Sequence, residues 1–139
     1  MAAMKSLVLG TSLVSTLLLA AGCDGKVEQC NRLVAAMNHT SDELTQPGED
    51  PAALEAVATK LDANARELGA VEVKLPELVK FRDDYLELLT QIAAGLRDAA
   101  EGSRSADRVR AESASRSMLG IGVKSGRLVE DINAFCGAR

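Results

Sequence analysis

The sequence predicts an all-α fold, an up-down-up-down bundle of four helices, from three observations. Apolar residues recur at alternating steps of three and four along four segments, the spacing that lines one face of an α-helix. Proline and glycine punctuate the boundaries, and short links between amphipathic helices favour antiparallel neighbours. The apolar content comes from Ala, Leu and Val. Phe81, Tyr85 and Phe135 are the aromatic residues and Trp is absent, a composition that suits helix packing better than a β-sandwich.

The first helix is expected to present Val27, Cys30, Val34, Met37, Ser41 and Leu44 on one face and to end at Pro47-Gly48. Asp50 then caps a second helix with Pro51 at its first position, where a missing N–H costs nothing. Its face carries Leu54, Val57, Leu61, Ala65 and Leu68, and Gly69 closes it. Residues 71–75 read as an extended connector, because Pro76 disfavours helical geometry at Leu75 and no second strand is available for pairing. The third helix starts at Pro76 with Leu78, Phe81, Tyr85, Leu88 and Ile92, widened by Val79, Leu86, Leu89 and Leu96. It is the most apolar of the four and the expected core element, ending near Glu101-Gly102-Ser103. The fourth spans about 105–135, polar in its first half, with Met118, Ile121, Ser125, Leu128, Ile132 and Phe135 on its inner face. Gly120, Gly122 and Gly126 lie within that pattern without shifting its phase, and are expected to admit a neighbouring helix at close range.

The beginning of the chain has a different character. Lys5, an apolar stretch over 7–19 and the small residues Ala20-Ala21-Gly22 follow the layout of a secretory signal peptide. The stretch of 13 residues is interrupted by Gly10, Thr11, Ser12, Ser15 and Thr16. It falls short of the roughly 20 residues that cross a bilayer. Leu18-Leu19-Ala20-Ala21-Gly22-Cys23 resembles the lipobox of bacterial lipoproteins, with Ala20 at the place most often held by Leu. The resemblance covers the first 23 or 24 residues and implies cleavage before Cys23, acyl chains on Cys23, and a membrane anchor that does not span. Stable anchoring takes more than one acyl chain, and bacterial lipoproteins carry two or three. Asp24 either resembles the inner-membrane retention signal of enteric lipoproteins or is a solvated linker residue. The expected organisation is a signal peptide over 1–22, a lipidated N-terminus and linker over 23–26, and a helical domain over 27–139.

With Cys23 assigned to lipid, Cys30 and Cys136 remain as a pair, and an even pair in an exported chain reads as a disulfide. The up-down-up-down topology puts the start of the first helix and the end of the fourth at the same end of the bundle. The expected bridge therefore agrees with the expected fold.

Residues 23–139 carry 15 basic and 20 acidic side chains, a net charge of −5, with no basic stripe of the kind nucleic-acid binding requires. His39 stands off the apolar face of the first helix, and no Glu-x-x-His pair or cluster of His and Cys suggests a metal. Residues 120–126 fail the phosphate-loop pattern because Val123, not Gly, precedes Lys124. Asp83, Asp84 and Glu87 read as a solvated face, as do Arg104, Arg108, Arg110 and Arg116 among serines and acids. No catalytic site, cofactor or metal is expected. The function expected is that of a non-enzymatic envelope lipoprotein, facing the periplasm or cell exterior, that binds an envelope protein or serves as a structural module. The alternative is a carrier of a small apolar or lipid ligand between the helices.

Overall fold

A computed structural model describes residues 25–42 and 50–137, with the side chains of 41 and 42 outside the description. Four helices make up the fold: α1 (Lys26–Asp42), α2 (Pro51–Gly69), α3 (Pro76–Arg104) and α4 (Arg108–Gly137). No strand occurs among the described residues, and 71–75 is an irregular connector.

The boundaries follow from local chemistry. The Asp50 carboxylate accepts from the Ala53 N–H at 3.1 Å, with Pro51 opening α2. Pro76 opens α3. Where α3 ends, the Asp107 N–H donates to the Gly102 carbonyl at 2.9 Å and the Ala106 N–H to the Ser103 carbonyl at 3.4 Å. This pair of bonds is a Schellman cap, and Ala106 takes its left-handed position at φ 52°. Gly102, expected near the helix end, thus lies inside the last turn. The Asp107 carboxylate then accepts from the Arg110 N–H at 3.1 Å and starts α4.

Helix α3 organises the rest. It packs against both α2 and α4, while the α2 and α4 backbones do not approach each other. Arg97 pairs with Asp62 and Arg104 with Glu55, so α2 and α3 run antiparallel. Phe81 meets Phe135 edge-on at 5.8 Å while Arg110 reaches Asp98 at 2.8 Å, so α3 and α4 are antiparallel too. The 17 residues of α1 extend about 25 Å against about 43 Å for the 29 of α3. Helix α1 meets α2, α3 and α4 near the start of α3, which completes the up-down-up-down order. Leu33, Leu61, Leu68, Leu78 and Leu89, from α1, α2 and α3, are fully buried in one continuous core. Each such side chain contributes about 1.5–3 kcal/mol by leaving water.

Two packing expectations change. Helix α1 is rotated from its expected face: Val27 is 69% exposed, while Gln29, Leu33 and Thr40 are buried with Cys30 and Met37. The cause is polar. Gln29 Oε1 accepts from the N–H groups of Lys74 and Leu75, and the Thr40 hydroxyl donates to the Ala36 carbonyl, so both polar side chains have partners inside. The side chain of Ser41, and Leu44 altogether, lie outside the described residues. The α4 glycines also differ from expectation. Gly120, Gly122 and Gly126 face open space, and the close approaches occur at glycines of α3. A Cβ on Gly95 would lie 2.9 Å from Met118 Sδ, and one on Gly102 would lie 3.0 Å from the backbone nitrogen of Ala111.

Urea unfolding separates these roles. Leu89→Ala should lower stability by about 2–5 kcal/mol, whereas Val109→Ala, at a 75% exposed position, should stay within about 0.5 kcal/mol of the parent. Gly120→Ala should stabilise by up to about 1 kcal/mol, because a helical Gly is replaced where nothing stands in the way. Gly102→Ala should destabilise, because its neighbour is backbone and α4 must move.

Candidate interaction surfaces

The expected cysteine pair comes together. Cys30, in the second turn of α1, and Cys136, in the last turn of α4, are joined as a disulfide with Cα atoms 5.7 Å apart. Cys30 is buried and Cys136 half-buried. Beside the bridge, Lys26 Nζ lies 4.4 Å from the centre of the Phe135 ring, whose edge contact with Phe81 continues into α3. Cys23, the expected lipid-bearing residue, lies outside the described residues.

Gln29 is the residue at this end that the sequence pattern does not reveal. Its carbonyl oxygen accepts from the Lys74 N–H at 2.6 Å and the Leu75 N–H at 3.1 Å, across more than 40 positions of chain. Pro76 has no N–H, so these are the last free donors before α3 begins, and an α1 side chain satisfies them. Arg32 of α1 adds a 3.4 Å bond to the Glu72 carbonyl, and Arg82 of α3 reaches the Val71 carbonyl at 3.3 Å. The connector is therefore tied from both sides.

A cleft of about 190 Å³ separates α1 from α2, with His39, Thr40, Asn64 and Glu67 on its walls. His39 is exposed there, as its place off the apolar face implies. Asn64 is 4% exposed, and its Nδ2 finds no acceptor among the described residues. On the side of the α3–α4 seam away from α1 runs an open groove of about 510 Å³. Asp98 and Arg110 face each other across it, and the hydrogen bond that Arg110 donates to the Asp98 carboxylate at 2.8 Å raises the Arg110 guanidinium above its ordinary value. Gln91 and Lys124 continue this groove into a second one walled by Asp84, Glu87, Arg127 and Asp131. Of the acids read in the sequence as a solvated face, Asp84 and Glu87 line this groove with Lys124 and Arg127 of α4, and Asp83 pairs with Arg82 of its own helix at 2.9 Å. Arg104 pairs with Glu55 and Arg110 with Asp98, while Arg108 and Arg116 are exposed.

Among the described residues no group of three or more His, Cys, Asp and Glu side chains is placed to hold a metal ion. No described helix is long and apolar enough to cross a membrane. The apolar surface that stands out is on α4, where Leu119 is 74% and Val123 60% exposed. No family model, curated protein or solved structure matches the chain.

The backbone of α1 approaches its neighbours less closely than α3 approaches α2 and α4, so the bridge is expected to govern its attachment. Replacing Cys30 and Cys136 together by Ser should lower stability by about 2–4 kcal/mol. Amide exchange should accelerate first across α1, with α2, α3 and α4 still protected at a denaturant concentration where the parent protects all four. Uniform acceleration across the helices would show that α1 is held by packing alone.

Proposed function

We propose that this chain is a lipid-anchored protein of the bacterial envelope, acting without catalysis as a helical structural or protein-interaction module. The observation that carries the reading is the Cys30–Cys136 pairing, since disulfides persist in exported chains and are rare where thiols are kept reduced. It agrees with the export-type segment that ends at Cys23. In this reading acyl chains on Cys23 hold the protein to the membrane. Few residues separate Cys23 from Lys26, where α1 begins, so the bridged end of the bundle lies nearest the bilayer. The other end, with the α3–α4 turn, is then presented outward to a partner.

A second reading, a carrier of a small apolar or lipid ligand, is favoured by the groove of about 510 Å³, a size within the range of ligand sites. Its open shape weighs against enclosing an apolar guest. The groove lies on the outer surface, the Asp98–Arg110 pair crosses it, and Ser113, Ser117 and Lys124 border it. Between the helices, where the sequence reading places the guest, fully buried leucines occupy the space.

The full chain expressed in a bacterial envelope tests both readings. The parent should fractionate with membranes and give a denatured mass of residues 23–139 plus acyl chains, less two hydrogens for the bridge. Cys23→Ala should leave the membrane fraction while keeping its helical content. A parent that is soluble and unacylated would remove the anchor from the reading. A reproducible small-molecule adduct in the native mass spectrum would replace the interaction module with the carrier.

A further inference from the structure

The outer face of α4 repeats at helical spacing but has no partner within the chain. Glu112, Arg116, Leu119, Val123, Gly126 and Glu130 follow one another at steps of four, three, four, three and four. That is the stepping of a helix–helix seam, and here it points away from α3. The inner face has its own seam through Ala114, Ile121, Leu128 and Ile132, all buried. A helix built for one neighbour needs one such seam, and α4 has two. The centre of the outer one is apolar and open: Leu119 is 74% and Val123 60% exposed, and a Cβ at Gly122 or Gly126 would meet nothing within 4 Å. Absent side chains at Gly122 and Gly126 allow another backbone to come close.

Charge selects the occupant. Arg116 and Glu130 each stand seven residues from Val123, on either side of it. Seven residues bring a helix back to nearly the same face, about 10.5 Å along the axis. A two-fold axis passing Val123 therefore places Arg116 opposite Glu130 of a second copy, and Glu130 opposite that copy's Arg116. Arg116 and Glu130 are complementary when antiparallel, the condition for an isologous contact, and Arg127, exposed on the same face, then lies beside the copy's Leu119. A parallel pairing sets Arg116 against Arg116 and Glu130 against Glu130.

We infer that the outer face of α4 binds a second copy of this chain, antiparallel about Val123, with Leu119, Val123 and Gly126 in the centre and two Arg116–Glu130 pairs at the rims. The contact covers a few turns of one helix and is smaller than the interfaces of about 1,600 Å² that hold stable complexes. The pair dissociates readily, and covalent trapping is the suitable readout. The inference stands on α4 alone; an antiparallel pair sets the two bridged ends about 39 Å apart along the axis, so anchored copies pair between facing membranes. Its test is run in a Cys23→Ala background, which has neither acyl chains nor a third thiol, so it fails or succeeds separately from the anchor.

The full chain carrying Cys23→Ala and Val123→Cys, treated with a mild oxidant and run on a non-reducing gel, should yield a dimer. Lys60→Cys, on the exposed side of α2, controls for crowding and should not. Leu119→Cys should trap poorly, because antiparallel copies of that position lie about 12 Å apart along the axis. Arg116→Glu or Glu130→Arg in the Val123→Cys background should each cut dimer yield about fivefold or more, since each sets two like-charged pairs face to face. Combining both reversals should restore the yield, which also shows that the single variants are folded. Equal trapping at Lys60→Cys, no trapping at Val123→Cys, or charge reversals without effect would overturn the proposal. Trapping at Leu119→Cys as strong as at Val123→Cys would overturn the antiparallel arrangement.

Discussion

The bond between Cys30 and Cys136 ties the start of α1, whose backbone approaches its neighbours less closely than α3 approaches α2 and α4, to the end of α4. Around that bond three kinds of interaction meet. The Phe81–Phe135 ring pair carries the end of α4 onto α3, Lys26 lies against the same ring, and Gln29 accepts the last two backbone donors before Pro76. Without the bridge, α2, α3 and α4 still form a layer, because α3 packs along both neighbours. With it, α1 lies over Tyr85 and Ile132 and encloses the buried leucines from another side. In the chain-entropy account, a bridge closing a loop of about 100 residues contributes up to about 4.7 kcal/mol, a large share of a small domain's stability.

The uneven helix lengths shape the surface. Helix α3 is far longer than α1, so α1 covers only part of its length. Along the other part, α4 is held to α3 by small residues: Gly95 beneath Met118 and Gly102 beneath the backbone of Ala111. Close packing there leaves little apolar area to bury, and the polar first half of α4 accords with that. The Arg110–Asp98 pair across the α3–α4 groove adds orientation more than stability, as exposed pairs contribute little. The surface is thus mixed in charge and shallow, interrupted by the apolar patch of Leu119 and Val123. Such a surface suits association with other proteins better than enclosure of a ligand.

The helices and most of their inner faces were legible in the sequence, because a period near 3.6 leaves a direct trace in residue order. Leu61, Leu68, Leu78, Tyr85, Leu88, Leu89, Ile121, Leu128 and Ile132 are buried where that period places them. The cysteine pair was legible because two cysteines remained and topology put them at one end. The rotation of α1 was not, since Val27 and Gln29 differ in hydropathy in the direction opposite to their burial. Only the connector's need for an acceptor, created by the fold, draws Gln29 inside. The purpose of each glycine was equally hidden: Gly95 and Gly102 stand at close approaches, whereas Gly120, Gly122 and Gly126 do not.

By itself the sequence determined the number and type of elements, their order, their antiparallel sense and the pairing of Cys30 with Cys136. These depend on local periodicity, loop length and the count of cysteines. The tertiary structure alone decided which polar side chains are buried, which glycines are crowded and which face of α4 is left over. Those outcomes depend on distances between residues far apart in the chain: Gln29 to Leu75, Gly95 to Met118, Gly102 to Ala111. A pattern along one helix tells which side is apolar. Whether a neighbour arrives to cover it is settled only when the helices pack.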